Sequence, residues 1–126
     1  MQRWVALAVC GLMATVTVRA HHSVLDFDAS RGITLRGVVA EVVWKSPHAY
    51  LAVDVKEGPE RGRRWLVESE SPVVLERLGW TRTAVRVGDR LLASGAPHRR
   101  GERVMRCGSV TIANGVTRPC YPSRTQ

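Results

Sequence analysis

The sequence lacks an apolar run long enough to span a membrane, and its nearest approach to one lies at the start of the chain. Met1-Gln2-Arg3 is a short positive segment, and an uncharged run from Trp4 to Val18 follows it. This run has about 15 residues, fewer than the roughly 20 that a transmembrane helix needs. Val18-Arg19-Ala20 then ends with small residues at the positions that a signal peptidase reads. The pattern predicts a cleaved signal peptide over residues 1–20 and a periplasmic or secreted mature protein without a transmembrane anchor.

Cysteine is scarce, and no two cysteines have the C-x-x-C spacing of a zinc or redox motif. The chain has three cysteines. Cys10 leaves with the signal peptide, so Cys107 and Cys120 remain. In an oxidising compartment an isolated pair most simply forms a disulfide. We expect a structural bridge that ties the C-terminal tail to the last strand, with a thiolate metal site as the alternative.

Motifs of common hydrolases and nucleotide-binding proteins are also missing. The sequence contains no Ser-His-Asp or Cys-His arrangement, no phosphate-binding glycine loop and no signature of paired catalytic carboxylates. Export argues against nucleic acid as a partner, although the formal charge is +8. Removal of Arg3 and Arg19 leaves +6 on the mature chain. A basic exported protein meets anionic surfaces or acidic ligands, or is simply well solvated.

The mature chain, residues 21–126, has the size of one domain with one core. Branched and apolar residues concentrate in five segments that favour β-strands. Gly37 permits a bend in the first of them, and Asn114-Gly115 predicts a turn after the last. The predicted strands are Ile33–Trp44, Ala49–Val55, Arg64–Glu70, Leu91–Ala96 and Arg103–Ile112.

A short helix is predicted after the third strand. Ser71-Pro72 is typical of a helix start, with serine as the cap and proline in the first turn. Val74, Leu75 and Leu78 then lie on one face, and Gly79 ends the helix. Three strands, a helix and two strands is the element order of an OB-fold. The sequence therefore predicts an all-β, OB-fold-like five-stranded barrel, with a small open sandwich as the alternative.

Four histidines remain after cleavage, and their positions indicate a shared site. In an OB-fold, the loops between strands 1 and 2 and between strands 4 and 5 flank the ligand-binding face. His48 falls in the first loop and His98 in the second, so we expect both to approach one region. His21 and His22 follow the predicted cleavage site directly.

Cleavage gives His21 a free α-amino group, whose reference pKa of roughly 7.7–8.0 leaves part of it neutral near pH 7. This amine and the imidazole of the same residue can chelate one metal ion, and His22 adds another nitrogen. Such ligands suit copper(II), nickel(II) and zinc(II), with the highest raw affinity for copper. The leading hypothesis is a copper or other transition-metal site formed by His21, His22 and His48, with His98 as a further ligand.

Structural interpretations stand beside this hypothesis. His48, after Pro47, would bond a backbone carbonyl, and His98 would be solvated at a hairpin tip. His21 and His22 would form an exposed tail. The predicted pairing of strands 2 and 3 places Glu70 close to Tyr50 and His48, where a carboxylate can orient a ligating imidazole or, as the simpler expectation, form an ion pair with an arginine.

Two further functions remain open. One is a binding module for a small or polymeric anionic ligand, and the other is an oxidative enzyme in which an N-terminal copper activates oxygen. Tryptophans in so small a barrel are often core residues. The anion-binding hypothesis uses aromatic side chains for stacking and two arginines for charge: Trp44, Tyr50, Trp65, Trp80, Arg99 and Arg100.

Several motifs together resemble a family of small bacterial exported proteins that is known only as a domain of unknown function. The family usually has Asn-Pro-His where this chain has Ser46-Pro47-His48. The resemblance runs from His21 to about Ile112, and it implies export and the fold but no reaction. Its motifs are His21-His22-Ser23, Phe27-Asp28, Thr34-Leu35 with Gly37, Trp44, Pro47-His48, Trp65, Glu68, Ser71-Pro72, Leu75, Gly79-Trp80 and Gly88-Asp89.

Overall fold

Strands dominate the computed structural model, which describes residues 23–123 of the chain. His21, His22 and the predicted signal peptide lie outside the described residues. Within these residues, a 3-10 turn spans Val24–Asp26 and the helix α1 spans Pro72–Arg77. No helix in this part of the chain has the length and apolar character needed to cross a membrane. The strands are β1 (Ile33–Val43), β2 (Tyr50–Glu57), β3 (Arg64–Glu68), β4 (Arg90–Pro97), β5 (Val104–Ile112) and β6 (Thr117–Pro119).

The first five strands close into a barrel. β1 pairs in antiparallel fashion with β2 on one side and β4 on the other, β2 pairs with β3, and β4 pairs with β5. A parallel pairing of β3 with β5, from Leu66↔Val104 to Glu68↔Arg106, completes the circle. The predicted OB-like barrel is therefore confirmed, and the closing pair excludes the open sandwich. β6 adds a short sixth strand to β5.

The strand ends differ from the predicted ones by one or two residues. β3 ends at Glu68, and backbone bonds to Ala49 continue beyond it: the Ser69 amide donates to the Ala49 carbonyl, and the Ala49 amide donates to the Glu70 carbonyl. The Glu70 amide donates to the carbonyl of Cys120, so the C-terminal tail also contacts this segment.

Gly37 marks a bulge in β1. The register against β2 shifts between Arg36 and Gly37. A Cβ at Gly37 would collide with the carbonyl oxygen of Asp54 and a methyl group of Val53. The predicted bend is confirmed, and its cause is the close approach of two backbones, which only glycine permits.

The core fills the barrel, and α1 covers one end of it. Leu75 of α1 is 1% exposed, and Trp80 is also buried. The indole N–H of Trp80 donates to the carbonyl of Pro119 at 2.7 Å. Ser71 occupies the N-cap position as predicted, but its side chain makes no capping hydrogen bond. Its carbonyl instead accepts the amide of Leu75. The barrel interior is formed mainly by Leu35, Val39, Leu51, Val53, Val55, Trp65, Val67, Leu91, Ala93, Met105 and Val110.

Cys107 of β5 and Cys120 after β6 form a buried disulfide, as predicted. The bridge links positions 13 residues apart. It fixes the tail against the barrel, and the Asn114-Gly115 turn between β5 and β6 lets the tail return as a strand. The sequence predicted the bridge and the turn but not β6.

Candidate functional site: the Glu68 cluster

A buried carboxylate lies on the outer face of the barrel. Trp65 and Val67 of β3 point into the core, so alternation directs Leu66 and Glu68 outward. Leu66 is 39% exposed, as an outward side chain should be, yet Glu68 is only 1% exposed. Charged side chains are almost never fully buried unless they are paired. Glu68 is therefore the residue from which the site is best built.

Its neighbours come from two strands, one loop and the C-terminal tail. The register sets Tyr50 of β2 and Arg106 of β5 beside Glu68. The guanidinium of Arg106 lies 3.6 Å from the centroid of the Tyr121 ring, and Tyr121 directly follows the disulfide at Cys120. We call the group His48, Tyr50, Glu68, Arg106 and Tyr121 the Glu68 cluster. The disulfide ties the segment that carries Tyr121 to β5.

His48 approaches the cluster from the β1–β2 loop. Its Nδ1 lies 3.0 Å from the carbonyl oxygen of Ser69 and 4.0 Å from Oε1 of Glu68. A carbonyl oxygen only accepts, so Nδ1 carries the proton in this hydrogen bond. In the neutral ring the lone pair is then on Nε2. The side chain is 25% exposed, which gives an incoming ligand access to His48.

Burial and charge keep both tyrosines of the cluster protonated. Burial, followed by the charge of Glu68, raises the pKa of Tyr50 above its usual value. Burial raises the pKa of Tyr121 to about 12; Glu68 and Glu70 also raise it, while Arg106 opposes them. At neutral pH the cluster therefore presents two phenol groups able to donate hydrogen bonds, a guanidinium and an imidazole.

The expected position of Glu70 beside Tyr50 is wrong by two residues. Asp54 pairs with Arg64, and this register places Glu68 opposite Tyr50. The hairpin is tighter than the sequence suggested, because the amide of Gly62 and the carbonyl of Arg63 both bond Val55. The carboxylate beside His48 is thus Glu68.

His98 lies in a different environment, at the β4–β5 hairpin. The residue is 5% exposed, and its ring packs edge-on against Phe27 with the ring centroids 5.7 Å apart. Its Nδ1 accepts the amide of Arg100 at 3.3 Å. The solvated hairpin-tip histidine expected from the sequence is therefore a buried one.

The structure does not bring His48 and His98 together. β4 runs antiparallel to β1, so its end lies beside the start of β1, where Ile33 pairs with Gly95. His48 follows the opposite end of β1. Around the other side of the barrel, β3 and β5 lie between the β1–β2 loop and the β4–β5 hairpin. Among residues 23–123, no three His, Cys, Asp or Glu side chains are grouped to hold a metal ion. The assignment of His21, His22, His48 and His98 as ligands stays a prediction.

The segment that follows His22 is fixed beside the β4–β5 hairpin. Ser23 and Asp26 form a reciprocal capping box, in which the Ser23 amide donates to Oδ2 of Asp26 at 2.7 Å. The Arg99 amide bonds the Asp26 carbonyl, and its Nε bonds the Leu25 carbonyl at 3.0 Å. Arg99 thus anchors the N-terminal segment.

The residues of the anion-binding hypothesis are dispersed. Trp65 and Trp80 are core residues, and the indole N–H of Trp65 donates to Glu60 at 3.0 Å. Trp44 and Tyr50 line one small cavity near α1, whereas Arg99 and Arg100 lie at the β4–β5 hairpin. The structure therefore brings Trp44 and Tyr50 together, but Arg99 and Arg100 do not line the same cavity.

Sequence reasoning missed Arg106 and Tyr121. Both are sequence neighbours of the predicted disulfide, Arg106 before Cys107 and Tyr121 after Cys120. A disulfide brings the residues that flank its two cysteines close together. The position of Arg106 and Tyr121 next to the predicted disulfide could therefore have predicted their contact.

These features define a class: an OB-like barrel whose disulfide-tied tail covers a titratable cluster on the outer face. The chain belongs to a Family of unknown function (DUF6152), whose family model matches residues 9–107. The resemblance to a domain of unknown function is thereby confirmed. No curated protein and no solved structure matches the chain significantly.

Proposed function

We propose that this protein is an exported, periplasmic or secreted binding protein for copper(II) or another transition metal. Its ligands are His48 and the histidines of the processed N-terminus, His21 and His22. The signal-peptide pattern of residues 1–20 and the disulfide support export, because disulfides persist in oxidising compartments.

One observation carries the proposal: the hydrogen bond from Nδ1 of His48 to the Ser69 carbonyl. Histidines that bind metals usually donate their second ring N–H to a carbonyl or carboxylate, which fixes the tautomer and aims the other nitrogen at the metal. His48 has this arrangement, and the buried carboxylate of Glu68 lies 4.0 Å away. The imidazole is thus oriented in advance, with Nε2 as the donor to the metal.

His98 is the weakest of the four predicted ligands. Its ring is buried against Phe27, and Nδ1 already accepts a backbone amide. We assign it the structural role of holding the β4–β5 hairpin against the N-terminal segment. The N-terminal copper enzyme and the anion module built on Trp44, Tyr50, Arg99 and Arg100 stay predictions.

Calorimetric titration of copper(II) into the processed protein tests the role of His48. We expect His48→Ala to weaken binding roughly tenfold or more, since loss of an orienting partner alone costs 10- to 100-fold at such sites. Glu68→Gln, which keeps the shape of the side chain, should weaken it less. A His48→Ala protein that remains folded and binds copper(II) like the wild type would contradict this ligand assignment.

A further inference from the structure

A groove of about 890 Å³ lies between the β2–β3 hairpin, the start of β4 and the turn after β5. We call it the basic groove, defined by the cationic residues Arg36, Lys56, Arg61 and Arg90 and by the apolar residues Val38 and Leu92. Pockets for small ligands typically enclose roughly 300–1,000 Å³. The basic groove thus has the size for a small molecule, and it shares no residue with the Glu68 cluster.

The register explains why the cations converge. Arg36 lies between Glu57 of β2 and Leu92 of β4, and Val38 pairs with Arg90. The bulge at Gly37 falls between these two positions on β1. Lys56 lies near the end of β2 and Arg61 lies in the β2–β3 turn, so cations from three strands and one turn surround the same space.

Little negative charge balances these cations. The one acidic residue that lines the groove is Glu57, whose Oε2 lies 3.9 Å from Nε of Arg36. Both side chains are more than 60% exposed, so water screens this pair and it contributes little. Lys56, Arg61 and Arg90 have no carboxylate within 4.0 Å among residues 23–123.

Hydrogen bonds from Arg64 lower the pKa of Asp54, and the charge of Lys56 adds to this effect, so that carboxylate is already held by Arg64. The two Arg64–Asp54 hydrogen bonds measure 2.7 and 3.0 Å. The charge of the groove is therefore available to a ligand. Arginine is the side chain best suited to this task, because its planar fork binds carboxylate and phosphate oxygens in pairs.

The floor of the groove is apolar. Val38 and Leu92 are partly exposed there, and Val55, Leu91 and Ile112 line the deeper surface. A small inorganic anion would leave this surface in water. A ligand with an anionic head and an apolar body would cover it and gain about 25 cal/mol for each Å² buried.

We propose that the basic groove binds an amphipathic anion, meaning a carboxylate or phosphate monoester that carries an alkyl or aryl body. The head lies among Arg61, Arg90 and Lys56, and the body lies on Val38 and Leu92. This inference is independent of metal binding.

The test uses decanoate and decyl phosphate as probes, with ¹⁵N-labelled processed protein observed by NMR. We expect both probes to shift the amide signals of Gly62 and Gly115, which line the groove. Arg61→Gln combined with Arg90→Gln should weaken binding about fivefold or more, because two charged contacts to the anionic head are lost. Arg77→Gln combined with Arg82→Gln removes the same charge from exposed positions that do not line the groove, and it should leave the affinity unchanged.

Two further probes separate the head from the body. Decyltrimethylammonium keeps the tail but reverses the charge, and inorganic phosphate keeps the charge but has no tail. Both should bind more weakly than decyl phosphate. Unshifted Gly62 and Gly115 signals, equal weakening in the groove and control variants, or equal affinity for inorganic phosphate and decyl phosphate would each overturn the proposal.

Discussion

At the scale of single residues, the Glu68 cluster shows how burial and charge act on the same side chains. A carboxylate that is 1% exposed lies between Tyr50 and Arg106 in a row across three strands. Arg106 also contacts the ring of Tyr121 at 3.6 Å. The two tyrosines, the chain's full complement, both belong to this cluster, so their ionisation reports on it without interference.

We predict that the folded protein resists ionisation of its phenols. Both pKa values are raised, that of Tyr121 to about 12, whereas an unfolded chain should return to about 10. An absorbance titration of phenolate in native and denatured protein measures the difference. In Tyr121→Phe, the ionisation at the higher pH should vanish. In Glu68→Gln, both tyrosines should ionise at lower pH than in the wild type, because the negative charge of Glu68 is gone. Native phenols that ionise with those of the denatured chain would refute this description of the cluster.

The same shifts predict how stability depends on alkaline pH. A raised folded pKa means that the folded state holds the phenol proton more tightly than the unfolded chain does. The resulting stabilisation is complete below the unfolded pKa of about 10 and is lost as pH rises through about 12. Urea unfolding across this window should show a steeper loss for the wild type than for Tyr121→Phe. Parallel loss in the two proteins would argue against the shift.

At the scale of elements, much of the barrel follows from local pattern. Five strands and α1 appear where branched residues, Ser71-Pro72 and Gly79 predicted them. β6 was missed because Thr117–Pro119 has three residues, one of them proline, and becomes a strand only when the disulfide holds it against β5.

The site was predicted less well, because it depends on register. A two-residue difference in the β2–β3 pairing exchanged Glu70 for Glu68 beside Tyr50. His98 is buried by Phe27, a residue 71 positions earlier whose approach no local pattern encodes. His48 needed only the Pro47 loop and the neighbouring strand, and its bond to a backbone carbonyl was foreseen.

The bulge in β1 can be tested with a pair of glycine variants. Gly37→Ala places a methyl group against the Asp54 carbonyl and Val53, so it should destabilise the fold by about 1–3 kcal/mol. Gly32→Ala is the matched control, because nothing lies within 4 Å of its new Cβ and its φ is not in the left-handed region. Urea unfolding measures both. Equal stabilities would mean that β1 and β2 do not approach each other as described.

The disulfide links the C-terminal tail to the Glu68 cluster, so its loss should change both the stability of the fold and the pKa of Tyr121. Replacing Cys107 and Cys120 together by alanine should lower the free energy of unfolding by about 2–4 kcal/mol. Release of the tail should also return the pKa of Tyr121 toward about 10, since burial is the main cause of its shift. Unfolding and phenol titration of the same variant measure the two effects. A Tyr121 pKa that stays near 12 would show that the tail is held by other contacts.

At the scale of the whole molecule, the proposed functions occupy separate surfaces. His48 and Glu68 lie at the β1–β2 end, the segment that begins at Ser23 lies on the β4–β5 hairpin, and the basic groove includes the Gly37 bulge. The proposed site combines His48 with His21 and His22, so it predicts one copper(II) ion bound per chain, which the calorimetric titration measures.

Electron paramagnetic resonance of bound copper(II) tests the central claim most directly. The sample is a processed chain whose intact mass corresponds to a start at His21 with Cys107 and Cys120 oxidised. It is compared with a form that carries one extra alanine before His21, which keeps every side chain but separates the α-amine from the imidazole of His21. We predict that the extension and His48→Ala each change the copper spectrum and weaken binding, because the amine and Nε2 of His48 coordinate the ion. Identical spectra and affinities for the processed and extended forms would contradict the account and leave His21 and His22 as an ordinary tail.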